Sequence, residues 1–114
     1  MKRDNTLKLD YAQAKDALAE APENYVTLFH RNDARVLLFA PRGTDTQKPH
    51  TQDELYIVAA GSGTFIRGEE TIQFVAGDVL FVAAETPHHF ENFTDDFYTW
   101  VVFFGPWGGV AADV

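Results

Sequence analysis

Turn signals set the limits on what this chain can fold into. Between residues 25 and 104 they recur at short intervals: Asn32-Asp33, Pro41 to Asp45, Gly61-Ser62-Gly63, Gly68-Glu69, Gly77-Asp78 and Thr94-Asp95-Asp96. Glycine and asparagine accept left-handed backbone, proline pre-sets φ, and aspartate hydrogen-bonds its own backbone, so each cluster reverses or breaks an element. The segments left between them are Tyr25 to His30, Arg35 to Ala40, Leu55 to Ala60, Thr64 to Arg67, Thr71 to Val75, Val79 to Ala83, His88 to Glu91 and Phe97 to Phe104. All are short and rich in β-branched and aromatic residues, which reads as strand. Strands at this spacing, with no helices interleaved, predict an all-β antiparallel sandwich or small barrel.

Only the N-terminal part departs from that pattern. Asp10 is placed to cap a helix over Tyr11 to Ala21, where Tyr11, Ala14, Leu18 and Ala21 recur at helical spacing before Pro22 stops it. The expected organisation is a leader and short helix over residues 1–22 leaning on the sheet, a barrel over 23–107 and a flexible tail over 108–114. Within the leader, Thr6 to Leu9 reads as a short edge strand.

Composition narrows the function classes. With 46% hydrophobic residues, ten of them Phe, 114 residues are enough for one domain with a substantial core. The absence of cysteine excludes disulfides, thiolate zinc sites and a cysteine nucleophile, so any metal is held by nitrogen and oxygen. A net charge of −8 with no Lys/Arg cluster argues against a nucleic-acid partner. No apolar run approaches the roughly 18–20 residues of a membrane helix, and MKRDNTLKLD lacks the apolar core of a secretory signal. A cytoplasmic protein without a membrane partner is the expectation.

The candidate site lies in two stretches. Gln47 to Gly61, QKPHTQDELYIVAAG, reads as a strand end, a tight turn and a second strand. Alternation then places Lys48, His50 and Gln52 on one face, and Glu54, Tyr56 and Val58 on one face of the next strand. Gly77 to Asn92, GDVLFVAAETPHHFEN, supplies His88 at the start of a later strand, with His89 pointing the other way. His30 ends an apolar strand and reads as structural. Two imidazoles and one carboxylate suit a divalent Fe, Mn, Ni, Co or Zn ion, with positions left open for a ligand.

Together the two stretches resemble the paired motifs of the cupin superfamily, in particular its small, single-domain bacterial members. The first motif runs glycine, five residues, His-x-His, three or four residues, Glu, six residues and Gly. Here His50 stands as the second histidine, Glu54 as the carboxylate and Gly61 as the closing glycine, with Gly43 one residue off the opening position. In the second motif Gly77, His88 and Asn92 match, while Ala83 and Glu85 replace its proline and glycine. The resemblance covers about Leu37 to Gly105 and implies a double-stranded β-helix, or jelly roll, with a metal or substrate pocket in one mouth.

Lys48 stands where that motif has its first histidine. A protonated lysine does not ligate, so three readings stay open. In the first, His50, Glu54 and His88 hold the metal with Lys48 turned toward substrate. In the second, Gln47 or Gln52 adds a weak fourth ligand. In the third, metal binding is lost and Lys48 neutralises Glu54. Under the first, Lys48 is a candidate carboxylate anchor or base and Tyr56 a candidate acid or base, as in lyase-type cupins the chain resembles. The resemblance implies no single reaction, since related cupins include dioxygenases, isomerases, epimerases, decarboxylases, lyases and binding modules. The expected function is oxidation, isomerisation or elimination on a small oxygenated carboxylate, enol or sugar derivative. The alternative is a module that binds a small molecule or metal without turnover. Phe39, Phe90 and Trp100 are expected in the pocket wall, and the apolar Phe104, Pro106 and Trp107 point to a homodimer.

Overall fold

The computed structural model describes residues 4–108. A helix, α1 (Tyr11–Glu20), precedes eight strands: β1 (Tyr25–Arg31), β2 (Ala34–Phe39), β3 (Asp53–Ala60), β4 (Ser62–Arg67), β5 (Glu70–Val75), β6 (Val79–Val82), β7 (His88–Glu91) and β8 (Tyr98–Phe104). Asp10 caps the helix as expected, its carboxylate accepting from the Ala12 and Gln13 amides. The helix stops one residue short of the expected Ala21, because Pro22 forces its predecessor into extended backbone (φ −80°, ψ 147°).

The strands form two antiparallel sheets, β1-β2-β8-β3-β6 and β5-β4-β7, an open jelly roll rather than a closed cylinder. Inward residues of both sheets build one aromatic core, in which Phe39, Tyr56, Phe65, Phe74, Phe90 and Phe97 interlock. A second, smaller core lies outside the larger sheet, where Ala14 and Leu18 of α1 cover Leu38 and Ala40. No helix among the described residues is long and apolar enough to cross a membrane.

Two left-handed positions mark the motif ends. Gly61, at φ +87°, has room for no side chain, since a Cβ would come 2.6 Å from the Phe97 Cα. Glu85, which takes the place of the second motif's glycine, keeps the left-handed backbone at φ +68° despite its side chain.

Four expectations need correction. Thr6 to Leu9 forms no strand, because Asp4 accepts from both the amide and the hydroxyl of Thr6 and turns the chain locally. Gln47 to Gln52 is not a strand end either; the chain is irregular from Ala40 to Gln52, Pro49 has no amide to pair, and β3 begins at Asp53. The period-two grouping of Lys48, His50 and Gln52 therefore does not apply. Phe97 is buried in the turn before β8 rather than in the strand. Trp100 faces α1 and not the pocket: in β8, Thr99, Val101 and Phe103 point inward and Trp100 outward. The tail expected to be flexible lies, from residue 109 on, outside the described residues.

Candidate metal centre and its cavity

Register brings the site together. Arg35 on β2 lies opposite Phe103 on β8, Phe103 opposite Glu54 on β3, and Glu54 opposite Val82 on β6. His88 enters from β7 of the other sheet, and His50 from the irregular segment before β3. Glu54 is 1% exposed and the His88 side chain is fully enclosed, while His50 is half-buried.

The hydrogen-bond pattern of His88 defines what the centre can hold. Its Nδ1 lies 2.8 Å from the Thr86 carbonyl oxygen, which only accepts, so Nδ1 carries the hydrogen. Nε2 then faces Glu54 Oε1 at 3.1 Å. With His88 neutral, neither that nitrogen nor either Glu54 oxygen has a hydrogen-bond partner among the described residues. Buried acceptors without a partner are costly, and one cation between them satisfies all three. His50 Nε2 is 4.0 Å from the same Oε1. Donors about 2.1 Å from one ion stand no more than about 4.2 Å apart, so both separations suit a shared ion. His50, Glu54 and His88 together form a group that could hold a metal, their ligand atoms all within 4.8 Å of one another, slightly wider than a bound ion would draw them.

A fourth oxygen is aimed at the same place. Gln47 Nε2 donates to Asp45 Oδ2 at 2.8 Å. A carboxylate only accepts, so the amide is fixed with Oε1 toward the histidines. That oxygen accepts from the Tyr56 hydroxyl at 3.0 Å and lies 3.3 Å from His50 Nε2. Asp45 is itself held by the Phe90 amide at 2.9 Å. Of the two candidate extra ligands, then, the structure brings Gln47 to the cluster. Gln52 instead ties two loops, donating to the Asp33 and Gly105 carbonyls. Of the two candidate catalytic residues, Tyr56 is at the cluster, enclosed behind it. Lys48 is exposed, with no hydrogen bond or ion pair among the described residues.

A cavity of about 390 Å³ opens beside the cluster, walled by Leu37, Phe39, Val101 and Phe103 and reached by Gln47, His50 and Glu54. Arg35 and Asp45 also line it, and sequence reasoning had singled out neither. Arg35 carried a usable signal, a charged residue in alternation with Leu37 and Phe39 on an apolar strand. Asp45 carried none, since it sits among turn residues.

Electrostatics divide the two histidines. Burial lowers the pKa of His50, with Glu54 opposing and His88 and Arg35 adding to the fall. Burial also pulls His88 down, but the Glu54 carboxylate and the Thr86 carbonyl outweigh it and the net shift is upward. A proton on His88 thus occupies the place a metal ion would take. Its stabilisation of the metal-free fold is full below the ordinary histidine pKa and is lost as pH rises through the raised one. Metal uptake is expected to release that proton, so affinity rises by about tenfold per pH unit below the His88 pKa and levels off above it. Calorimetric titration in two buffers of different ionisation enthalpy measures the release; an uptake that is independent of pH contradicts the assignment of His88 as ligand.

Comparison with known proteins agrees with the fold. The family model described as "Cupin domain" matches residues 35–104. The chain is 35% identical over 101 residues to an uncharacterized protein of Streptomyces coelicolor, covering 87% of this chain and 94% of that one. It superposes on a cupin 2 conserved barrel domain protein from Salinispora arenicola with a TM-score of 0.67, at 18% identity over 89% of this chain and 91% of the other. It also resembles the DMSP lyase DddQ of Ruegeria pomeroyi, with a TM-score of 0.60 and 23% identity, over 71% of this chain and 46% of the lyase. The chain belongs to the cupin family.

Proposed function

We propose that this cupin is a metal-dependent enzyme acting on a small oxygenated organic molecule. The observation that carries the reading is the buried set of acceptors left unpartnered when His88 is neutral, Glu54 Oε1 and Oε2 and His88 Nε2, beside an open cavity. His50, Glu54 and His88 would hold a divalent Fe, Mn, Ni, Co or Zn ion, with the Gln47 oxygen as a weak fourth donor. When bound, such an ion supplies Lewis-acid polarisation or, if redox-active, electron transfer. Phe103 and Leu37 give the cavity beside the cluster an apolar wall. Tyr56 acts as a hydrogen-bond donor, not as a base: burial first, and then Glu54, push its pKa well above the ordinary phenol value. Oxidation, isomerisation and elimination all fit this arrangement, and one neighbour in fold is a DMSP lyase.

One observation favours a second reading, a binding module without turnover: Tyr56, the nearest proton donor, is not among the residues lining the cavity. A homodimer is also proposed, supported by the exposed Ile57, Val79 and Phe81 along the β3–β6 edge of the larger sheet.

Elemental analysis of protein purified without chelators, and again after reconstitution with each candidate ion, tests the metal reading. About one ion per chain is expected for at least one of them. No binding of any candidate ion removes the proposal.

A further inference from the structure

Arg35 is a half-buried cation without a counter-ion. Its guanidinium lies 4.7 Å from the Phe103 ring centre, and its one side-chain hydrogen bond is a long contact, 3.4 Å, to Gln52 Oε1. No carboxylate among the described residues is in ion-pair reach of it. A guanidinium offers five donors in a planar fork, so most of its hydrogen-bonding capacity is open. The open side is the cavity, which Arg35 lines.

Its position relative to the metal cluster is fixed by register. Arg35 and Glu54 both pair with Phe103, which puts them two strand spacings, roughly 10 Å, apart across one sheet. His50 meets the same Phe103 ring edge-on, the ring centres 4.9 Å apart. Phe103 itself stands between the two polar ends, and Leu37, Phe39 and Val101, on the next rungs of the same sheet, line the cavity beside it. The cavity therefore has a forked cation at one end, a group able to hold a metal ion at the other and an apolar wall alongside. A single guanidinium, set against the Asp45 and Glu54 carboxylates that share the cavity, suits one negative charge better than a phosphate dianion.

We infer that the cavity is built for a small organic monocarboxylate, whose carboxylate is taken by Arg35 while a second oxygen on the same molecule is turned to the ion that His50, Glu54 and His88 would hold. The role first expected of Lys48 thus passes to Arg35. The inference deepens the metal-dependent reading and rests on it only for the second oxygen; the carboxylate end stands on Arg35 alone.

The probe is 4-methyl-2-oxopentanoate, which carries a carboxylate, a second oxygen and a branched apolar tail, compared with its methyl ester. Both are titrated calorimetrically into zinc-loaded and metal-free protein. The acid is expected to bind at least about tenfold more tightly than the ester, because a charge-assisted bidentate pair is lost on esterification. Arg35→Gln is expected to abolish that preference while leaving zinc content unchanged. Arg35→Lys, which keeps a cation over Phe103 without the fork, gives an intermediate preference and guards against misfolding of the first variant. Failure to bind zinc with the acid preference intact in metal-free protein sinks the metal reading and leaves Arg35 standing. Equal binding of acid and ester by the wild type, no binding of the acid at millimolar concentration, or a full preference in Arg35→Gln overturns the inference.

Discussion

Replacing Glu54 by glutamine is expected to empty the metal centre while leaving the protein folded. Glu54 is the only carboxylate of the cluster, and both of its oxygens are buried without a hydrogen-bond partner. Loss of an outer partner of a metal ligand already costs about 10–100-fold in affinity, so loss of the anionic ligand itself should exceed about 100-fold. The fold should tolerate the change. A buried carboxylate carries a desolvation penalty of several kcal/mol, which a neutral isostere removes, so above the raised His88 pKa, where no His88–Glu54 ion pair is left to lose, metal-free Glu54→Gln is expected to be at least as stable as the metal-free wild type. The two proteins should diverge once metal is added. An ion present at 100 times its dissociation constant stabilises the native state by ~2.7 kcal/mol, and for a chain of this size that is a rise in Tm on the order of 10 °C. The wild type is expected to show that rise and the variant none. A variant retaining full metal, or rising in Tm with the wild type, would falsify the assignment of Glu54 as a ligand.

Much of the fold was legible in the sequence because its punctuation is local. Turn residues, β-branched runs and the Asp10 and Pro22 helix boundaries act within a few residues, and the strand limits agree with the expectation to within about two positions. The His50, Glu54 and His88 group was legible for a different reason: a shared ion needs particular donor atoms, and few residue types supply them. What escaped depends on parity and on long-range partners. In FYTWVVFF every second side chain is buried, but the sequence does not say which set, and Trp100 was placed inside when Thr99, Val101 and Phe103 hold that face. Lys48 was placed by an alternation that holds only in strands, and its segment is not one. The orientation of Gln47 hangs on Asp45, and that of Asp45 on the Phe90 amide 45 residues further on. No local pattern reports such a chain of contacts.

Those contacts make Phe90 the position where stability and site meet. Its ring is 1% exposed and packs against Tyr56, Phe65 and Phe97, each at 4.9 Å between centres, and against Phe74 at 5.4 Å. Truncation to alanine is expected to cost about 3–5 kcal/mol, from lost burial and the void it leaves. That is a large share of the roughly 5–15 kcal/mol that holds a domain together. The damage should reach the metal centre through Tyr56, whose ring loses its support and whose hydroxyl holds Gln47, and through the strand that carries His88 two residues away. Trp100→Ala provides the contrast, since that ring belongs to the separate core beneath α1, on the opposite face of β8. Both variants are expected to lower Tm in thermal melts, Phe90→Ala by more. Only Phe90→Ala should weaken metal affinity when the two are titrated well below their melting temperatures. Equal weakening in both would mean that the centre responds to overall stability and not to the aromatic cluster beside it. Weakening in neither would mean that the irregular segment from Ala40 to Gln52 holds Gln47 and His50 in place without help from the core.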